Sequence, residues 1–121
     1  MRKIKFRAWN GVYMDDVIGY DYNCGGINKD ITLVFDKNEG VNRYRTSDLN
    51  IMQLTGLKDK NGKEIYEGDI LKFSWYIEDE FLLGAVSFLE GCFIVGDFRL
   101  KNINHKAEIV GNIYEDKDLL E

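Results

Sequence analysis

The chain has 121 residues, and its composition of 45% hydrophobic and 31% charged residues is that of a folded domain rather than a disordered chain. Its net charge of −5 argues against a general polyanion-binding protein, and no apolar run approaches the ~18 residues of a membrane helix. No apolar leader follows the N-terminus, and Cys24 and Cys92 lack metal-ligand spacing, so we expect a cytoplasmic protein with reduced thiols; a Cys24–Cys92 disulfide stays open.

Alternation of apolar and polar residues predicts short strands in the first half of the chain. The segment "KIKFRAW" at 3–9 alternates strictly, a turn at Asn10-Gly11 follows, and "VYMDDVIGYDY" at 12–22 is the predicted return strand. The next predicted strand is "ITLVFD" at 31–36. The segment "TSDLNIMQLTG" at 46–56 is compatible with either a capped helical turn or a strand.

The strand pattern is clearer in the second half. "DILKFSWYI" at 69–77 alternates, and "FLLGAVSFL" and "CFIVGDF", within 81–98, predict a hairpin around a Glu-Gly turn. "KNINHK" at 101–106 is a predicted polar connection, "AEIVGNIYE" at 107–115 is the last predicted strand, and Asp116 is placed to cap a short C-terminal helix.

Short strands at roughly ten-residue spacing, without a long helical period, are typical of a small barrel or sandwich. The Gly-Asp pair of "YEGDI" at 66–70 is like the entry into the first strand of an SH3-like barrel. We therefore predict a mainly β fold, in which residues 61–121 form a small SH3-like β-barrel. Residues 1–60 form an N-terminal β-hairpin region that packs on this barrel, so that the whole chain is one compact unit.

The segment "DKNG" at 59–62 admits two interpretations, a metal loop or a hairpin turn. A calcium loop needs oxygens at alternate positions and a glycine in sixth place. Counted from Asp59, Gly62 is fourth and Lys63 stands where an oxygen ligand is needed. A hairpin turn fits better, with Asp59 accepting backbone N–H bonds, Lys60 and Asn61 in the centre and Gly62 as a left-handed bulge. A two-residue Asn-Gly turn is the alternative register.

Three carboxylates follow this segment: Glu64, Glu67 and Asp69. On a strand Glu67 and Asp69 share a face and, with Glu64 nearby, could imitate the metal cluster of a hydrolase. The alternative is turn chemistry, in which Glu64 is exposed, Glu67 shields an edge and Asp69 accepts bonds from turn amides beside Gly68. We favour the turn interpretation.

Other signs of catalysis are weak. His105 is the only histidine and has no legible partner carboxylate or nucleophile. Cys24 precedes two glycines in a predicted loop, whereas Cys92 lies in an apolar strand where we expect it in the core. We therefore predict no catalytic residues, no metal site and no cofactor.

The N-terminal strand carries the one candidate binding surface for nucleic acid: Arg2, Lys3, Lys5, Arg7 and Trp9. Side chains two apart on a strand project together about 6.6 Å apart, close to the phosphate spacing of an extended single strand, and a tryptophan can stack on a base. A basic outward row also protects an exposed strand from pairing with neighbours. Such a row could equally pair with acids of the second half or of another subunit.

Three segments resemble the YopX family of phage and prophage proteins: "KFRAW" at 5–9, "MQLTGLKDKNGKEIYEGDI" at 52–70 and "VGNIYEDKDLL" at 110–120. The resemblance implies a mostly β structure with an SH3-like barrel, a setting in the bacterial cytoplasm and no established reaction. Family members often have an Asn-Pro or similar pair where this chain has Asp116-Lys117, a difference that affects only a helix start. The motif positions look structural: Thr55, Gly56, Asn61, Gly62, Tyr66, Gly68, Asp69 and Gly111.

These observations predict a non-catalytic phage or prophage accessory protein that acts by binding an unknown protein partner or by forming a homo-oligomer, without a membrane. Trp75 and Tyr76 are plausible contact points. Nucleic-acid binding through the N-terminal strand is the alternative function, and a metal-dependent hydrolase using Glu64, Glu67 and Asp69 is a third.

Overall fold

The computed structural model describes residues 4–21, 30–74 and 80–120, which form a mainly β, antiparallel structure. The predicted mainly β class is thereby confirmed. The strands are β1 (Phe6–Trp9), β2 (Met14–Asp21), β3 (Ile31–Asp36), β4 (Gly40–Arg45), β5 (Asn50–Lys58), β6 (Glu64–Tyr66), β7 (Asp69–Phe73), β8 (Leu82–Leu89), β9 (Cys92–Val95), β10 (Phe98–Arg99) and β11 (Glu108–Asn112). The helical segments are α1 (Leu100–Ile103) and three 3₁₀ turns, Thr46–Asp48, Asn104–Lys106 and Lys117–Leu120.

The described residues divide into two compact units, of which the first is Lys5–Gln53. Its strands are ordered β4-β3-β2-β1-β5, and β5 contributes its first four residues, which pair with β1. The alternation of the sequence directs one face of this sheet to a small core. That core consists of Ala8, Val34 and Leu49, with Val17 and Tyr44 packed against them.

The second unit contains Ile4 and the described residues from Leu54 onward. In it the later part of β5 pairs with β6, and the other strands are ordered β10-β9-β8-β7-β11. Its core is larger than that of the first unit. The strand β7 and the helix α1 each contribute two side chains that are completely buried. The buried members are Ile65, Leu71, Phe73, Val86, Val95, Leu100, Ile103 and Ala107.

The sheet of the second unit is open, so the closed SH3-like barrel predicted for residues 61–121 is not confirmed. Its edges are β10 and β11, and these two do not pair among the described strands. The physical reason lies at Leu100, where the chain leaves the ladder after the two residues of β10 and enters α1. Leu100 and Ile103 are buried there, which draws the backbone into a helical turn instead of a longer edge strand.

Several local predictions also need correction. The "KNINHK" segment, predicted as a polar connection, contains most of α1 and a 3₁₀ turn, and its Ile103 is buried. The predicted C-terminal helix is a single 3₁₀ turn, and the Asp116 carboxylate accepts a bond from the Asn112 amide rather than capping that turn. β4 was not predicted at all, and 46–56 combines both alternatives, a 3₁₀ turn followed by β5.

Within the described residues, no helix has the length and apolarity needed to cross a membrane.

Candidate functional site

The "DKNG" segment is a tight turn between β5 and β6. The Gly62 amide donates to the Asp59 carbonyl at 3.0 Å, and the Asp59 amide donates to the Lys63 carbonyl at 2.9 Å. Gly62 has φ +82°, a left-handed conformation that is easy for glycine and strained for other residues. These bonds give a turn with a one-residue glycine bulge, and Asn61 stands exposed at its tip.

The Asp59 carboxylate is fully engaged by backbone donors. Its Oδ1 accepts from the amides of Asn61 and Lys63, both at 2.9 Å, and its Oδ2 accepts from the amide of Ile109 on β11 at 3.1 Å. Burial is the largest influence on the pKa of Asp59 and would raise it, but the three amides and the charge of Lys63 together hold the pKa below 3.8. The side chain, only 6% exposed, therefore joins the turn to β11 as an anion.

Neighbouring bonds strengthen this junction. The Lys60 amide donates to the Ala107 carbonyl at 2.9 Å, and the Asn104 side chain donates to the Lys58 carbonyl at 2.8 Å. Lys60 and Glu108 form an exposed ion pair at 3.8 Å, a kind of contact that contributes little on its own. The turn is thus a docking point between β5–β6 and the segment 104–109.

Thr55 and Gly56 form a bulge in β5. The register between β5 and β6 shifts between Leu54 and Lys58, and Gly56 has φ +84°. The buried Thr55 hydroxyl donates to the Ile65 carbonyl at 2.7 Å and accepts from the Leu57 amide at 3.1 Å. Its oxygen thereby replaces bonds that the bulge removes from the ladder.

A second turn joins β6 to β7 and involves Tyr66, Gly68 and Asp69. The Asp69 carboxylate, 2% exposed, accepts from the Tyr66 amide at 2.8 Å. Gly68 has φ +85°, donates to the Val86 carbonyl at 2.9 Å and accepts from the Ile113 amide at 2.8 Å. This turn is consequently tied to β8 and to the segment that follows β11.

Gly111 is required by a close contact rather than by its backbone conformation. A Cβ placed there would lie 2.6 Å from Oδ2 and 2.7 Å from Cγ of Asp116. The same Asp116 oxygen accepts from the Asn112 amide at 3.1 Å, and the Asn112 side chain accepts from the amides of Tyr114 and Glu115. The "GNIYED" segment is therefore a self-bonded turn built around one carboxylate and one carboxamide.

The candidate metal cluster of Glu64, Glu67 and Asp69 does not assemble. In the part of the chain that the structure describes, no group of three or more His, Cys, Asp or Glu side chains could hold a metal ion. Asp69 is buried and accepts a hydrogen bond from the Tyr66 amide, whereas Glu64 and Glu67 are half-buried and have interactions of their own. Asp69 thus holds a turn, and the three carboxylates do not form a common metal site.

The N-terminal basic strand is less exposed than a phosphate-binding row would be. Of its five predicted contact residues, Arg2 and Lys3 lie outside the described residues. The other three are half-buried: Lys5, Arg7 and Trp9. Arg7 stands directly opposite Asp16 on β2, and opposite charges at paired positions attract. Nucleic-acid binding through this strand stays a prediction.

The acids of the first unit lie close enough to influence one another. Burial is the largest cause that raises the pKa of Asp15 above 3.8, and the nearby charges of Asp36, Asp16 and Glu39 raise it further. Asp15 is directly opposite the buried Ala8 in the register, which explains its partial desolvation.

The remaining candidates show no catalytic arrangement in the described residues. His105 is exposed in a 3₁₀ turn. Cys92 is a free, half-buried cysteine at the start of β9, rather than a core residue, and its Sγ donates to the Leu89 carbonyl at 3.5 Å. Cys24, Trp75 and Tyr76 lie outside the described residues.

The feature that the sequence did not reveal is an apolar surface on the hairpin formed by β8 and β9. Two large apolar side chains beside its turn, Phe88 and Leu89, are 52% and 57% exposed. Three more at the opposite end of β8, where the strand pairs with β7, are 46–57% exposed: Phe81, Leu82 and Leu83. The pattern "FLLGAVSFL" contains them, but it predicted only one strand of a hairpin. Exposure of both faces at the ends of β8 could not be read from it.

Comparisons with known proteins agree on one family. The family model described as YopX protein matches residues 5–121. Two solved structures are similar over the full length of both chains: protein EF1440 from Enterococcus faecalis, with 27% identity and a TM-score of 0.68, and protein yopX from Bacillus subtilis, with 18% identity and a TM-score of 0.67. The second likeness is one of fold alone. No curated protein matches the chain significantly.

Proposed function

The chain belongs to the YopX family, and from this premise we propose that it is a non-catalytic accessory protein of a phage or prophage that acts in the bacterial cytoplasm by self-association. The phage setting rests on what the family resemblance implies. The mode of action rests on one observation, the exposed apolar surface of the β8–β9 hairpin.

That surface is unusual beside the rest of its own unit. The second unit buries side chains of β7 and α1 completely, yet Phe88 and Leu89 at the end of β8 are 52% and 57% exposed. Contiguous exposed apolar side chains on a folded protein mark interaction sites. Because each of these side chains is already about half buried, covering the rest of one contributes roughly 0.8–1.5 kcal/mol, and several of them covered together supply a driving force for association.

The tip of the hairpin is preformed for contact. Glu90 and Gly91 have φ +51° and +86°, the conformation of a two-residue turn that matches strand twist. The Phe88 and Phe93 rings pack edge to face with centroids 5.0 Å apart. The Cys92 thiol bonds across the turn to the Leu89 carbonyl. A rigid apolar tip loses little conformational entropy on binding.

A second copy of the chain is the occupant that this surface fits best. An isologous two-fold interface uses the same patch twice, so one apolar patch is sufficient. The tip carries few charges, and therefore two copies can meet there although each has a net charge of −5.

The test is the mass of the full chain by light scattering after size exclusion, with reductant present, from micromolar concentration to about 1 mM. We expect a concentration-dependent dimer, and Leu89→Glu should weaken it by about 2 kcal/mol, roughly thirtyfold in Kd. Val12→Glu is the matched control, because Val12 is 65% exposed in a turn of the first unit. A wild type that stays monomeric up to about 1 mM, or equal effects of the two variants, would contradict the proposal.

A further inference from the structure

β4 forms one edge of the sheet in the first unit. It pairs with β3 over all six of its residues, from Ile31↔Arg45 to Asp36↔Gly40, and among the described strands it has no second neighbour. The outer edge of such a strand directs backbone N–H and C=O groups away from the sheet, where an added strand can bond to them.

This edge is held in place on one face. Tyr44 packs on the core formed by Ala8, Val34 and Leu49, and its hydroxyl accepts from the Asn10 side chain at 3.0 Å. At the end of β4, the Thr46 amide donates to the Asp30 carbonyl at 2.9 Å, and the hydroxyls of Thr46 and Thr32 are 2.8 Å apart. A strand fixed in this way is preorganised for an extended partner.

The other face of β4 is basic and apolar. Val41, Arg43 and Arg45 are exposed, whereas the alternating residues are half-buried, so all three project on the same side. Val41 stands directly opposite Phe35 of β3, which is 46% exposed. The outer face of β4 therefore presents one apolar position followed by two cations about 6.6 Å apart.

Self-pairing of this edge is disfavoured by its charges. If two copies of β4 pair antiparallel about a two-fold axis centred within residues 42–44, the registers that use most of the strand, Arg43 of one copy falls either opposite or diagonal to Arg43 of the other. Like charges at such positions are destabilising. An extended segment with acids at alternate positions reverses the sign of that interaction, since it places one carboxylate opposite each of Arg43 and Arg45.

A nucleic acid fits the edge less well than a polypeptide does. Two arginines on one strand neutralise few phosphates, and the chain as a whole is acidic. The repeat of backbone donors and acceptors along a strand edge matches a polypeptide and nothing in a phosphodiester chain.

We propose that β4 is a docking edge for an extended acidic segment of another protein, which adds as a strand next to β4 with its carboxylates opposite Arg43 and Arg45. This interaction is independent of self-association through the β8–β9 hairpin, because it uses a different strand of a different unit.

The test titrates the ¹⁵N-labelled full chain with the peptide Val-Thr-Glu-Thr-Glu-Thr-Val, whose side-chain pattern fits β4 in either direction. We expect amide shifts centred on β4 and β3. The double variant Arg43→Glu, Arg45→Glu should weaken binding at least tenfold and should instead bind the same peptide with lysine for glutamate. Arg43→Gln, Arg45→Gln serves as a second, milder variant for which folding is checked by circular dichroism.

Two controls separate strand addition from simple charge attraction. Lys101→Glu, Lys117→Glu makes the same change in net charge at exposed positions of the second unit and should leave the peptide affinity unchanged. Peptides N-methylated either at the threonines or at the other positions should differ, because only one set of amides faces β4. No shifts at millimolar peptide, equal binding by both methylated peptides, or equally strong binding of a thymidine oligonucleotide at β4 would overturn the proposal.

Discussion

The Asp59 carboxylate gives the sharpest prediction for the stability of the second unit. Asp59→Ala removes the acceptor of three backbone amides, those of Asn61, Lys63 and Ile109. Water can reach the two amides of the turn, so we expect about 0.5–1.5 kcal/mol for each, whereas the Ile109 amide on half-buried β11 should cost about 1–3 kcal/mol. The total is a loss of about 2–6 kcal/mol in the free energy of unfolding.

Urea unfolding followed by circular dichroism measures this loss. With a slope of about 1.5–2 kcal/mol/M for a chain of this size, the midpoint should fall by ~1–4 M. Asp59→Asn keeps one oxygen acceptor but no charge, and should lose about half as much. Asp97→Ala is the control, since Asp97 is an exposed turn carboxylate and should change the midpoint little.

Acid titration of the same proteins tests the cause. Because the folded pKa of Asp59 lies below the unfolded value of 3.8, its charge contributes stability that is fully present above that value. The contribution is lost as the pH falls from about 3.8 through the lower folded pKa. Asp59→Asn should remove this part of the pH dependence. If Asp59→Ala costs less than about 1 kcal/mol, or if Asp59→Asn leaves the acid titration unchanged, the assignment of Asp59 as the junction is refuted.

Four further changes follow from the geometry, each measured by the same urea assay. Gly62→Ala should cost about 1 kcal/mol through the φ of +82° alone, because the added Cβ would have no neighbouring atom within 4 Å. Gly62→Asn should cost less, because asparagine adopts this conformation more easily. Gly111→Ala should cost about 1–3 kcal/mol by displacing Asp116, and clearly less in an Asp116→Gly background, which also removes the Asp116 Cβ that would lie 2.8 Å from the new methyl group; equal costs would contradict the contact. Thr55→Val should cost about 1–3 kcal/mol by leaving the Leu57 amide and the Ile65 carbonyl without the hydroxyl. Asp15→Asn should stabilise the first unit by about 0.5 kcal/mol at pH 7, and the gain should shrink as the pH falls through the raised pKa of Asp15 toward 3.8; a loss would be inconsistent with the raised pKa.

Local chemistry made part of this molecule readable from sequence. The "DKNG" turn depends on neighbours within five residues, and "ITLVFD" was placed at the limits of β3 because its alternation is unbroken. β4 was not predicted because Gly40 opens the strand directly after a turn-rich segment, and the alternating Val41, Arg43 and Arg45 include only one apolar residue. α1 was missed because its two buried residues, Leu100 and Ile103, stand among polar ones.

Long-range pairing made the rest unreadable. Whether β10 and β11 close a barrel depends on where the chain turns inward, and no local pattern fixes that choice. The third partner of Asp59 lies fifty residues away on β11, so the sequence indicated a turn but not a junction. The half-burial of Arg7 beside Asp16 likewise depends on which strand pairs with β1, and Arg7 therefore looked like part of a solvent-facing row.

The bond from the Ile109 amide to Asp59 also bears on how the protein is made. A ribosome synthesises the Asp59 turn about fifty residues before its last donor, an interval of several seconds at the usual rate of elongation. During that interval the Asp59 carboxylate lacks one of its native bonds, and the apolar strands of the β8–β9 hairpin emerge before β11 is available to pair with β7. Nascent chains paused before residue 109 should therefore be the species most sensitive to protease and to chaperone capture.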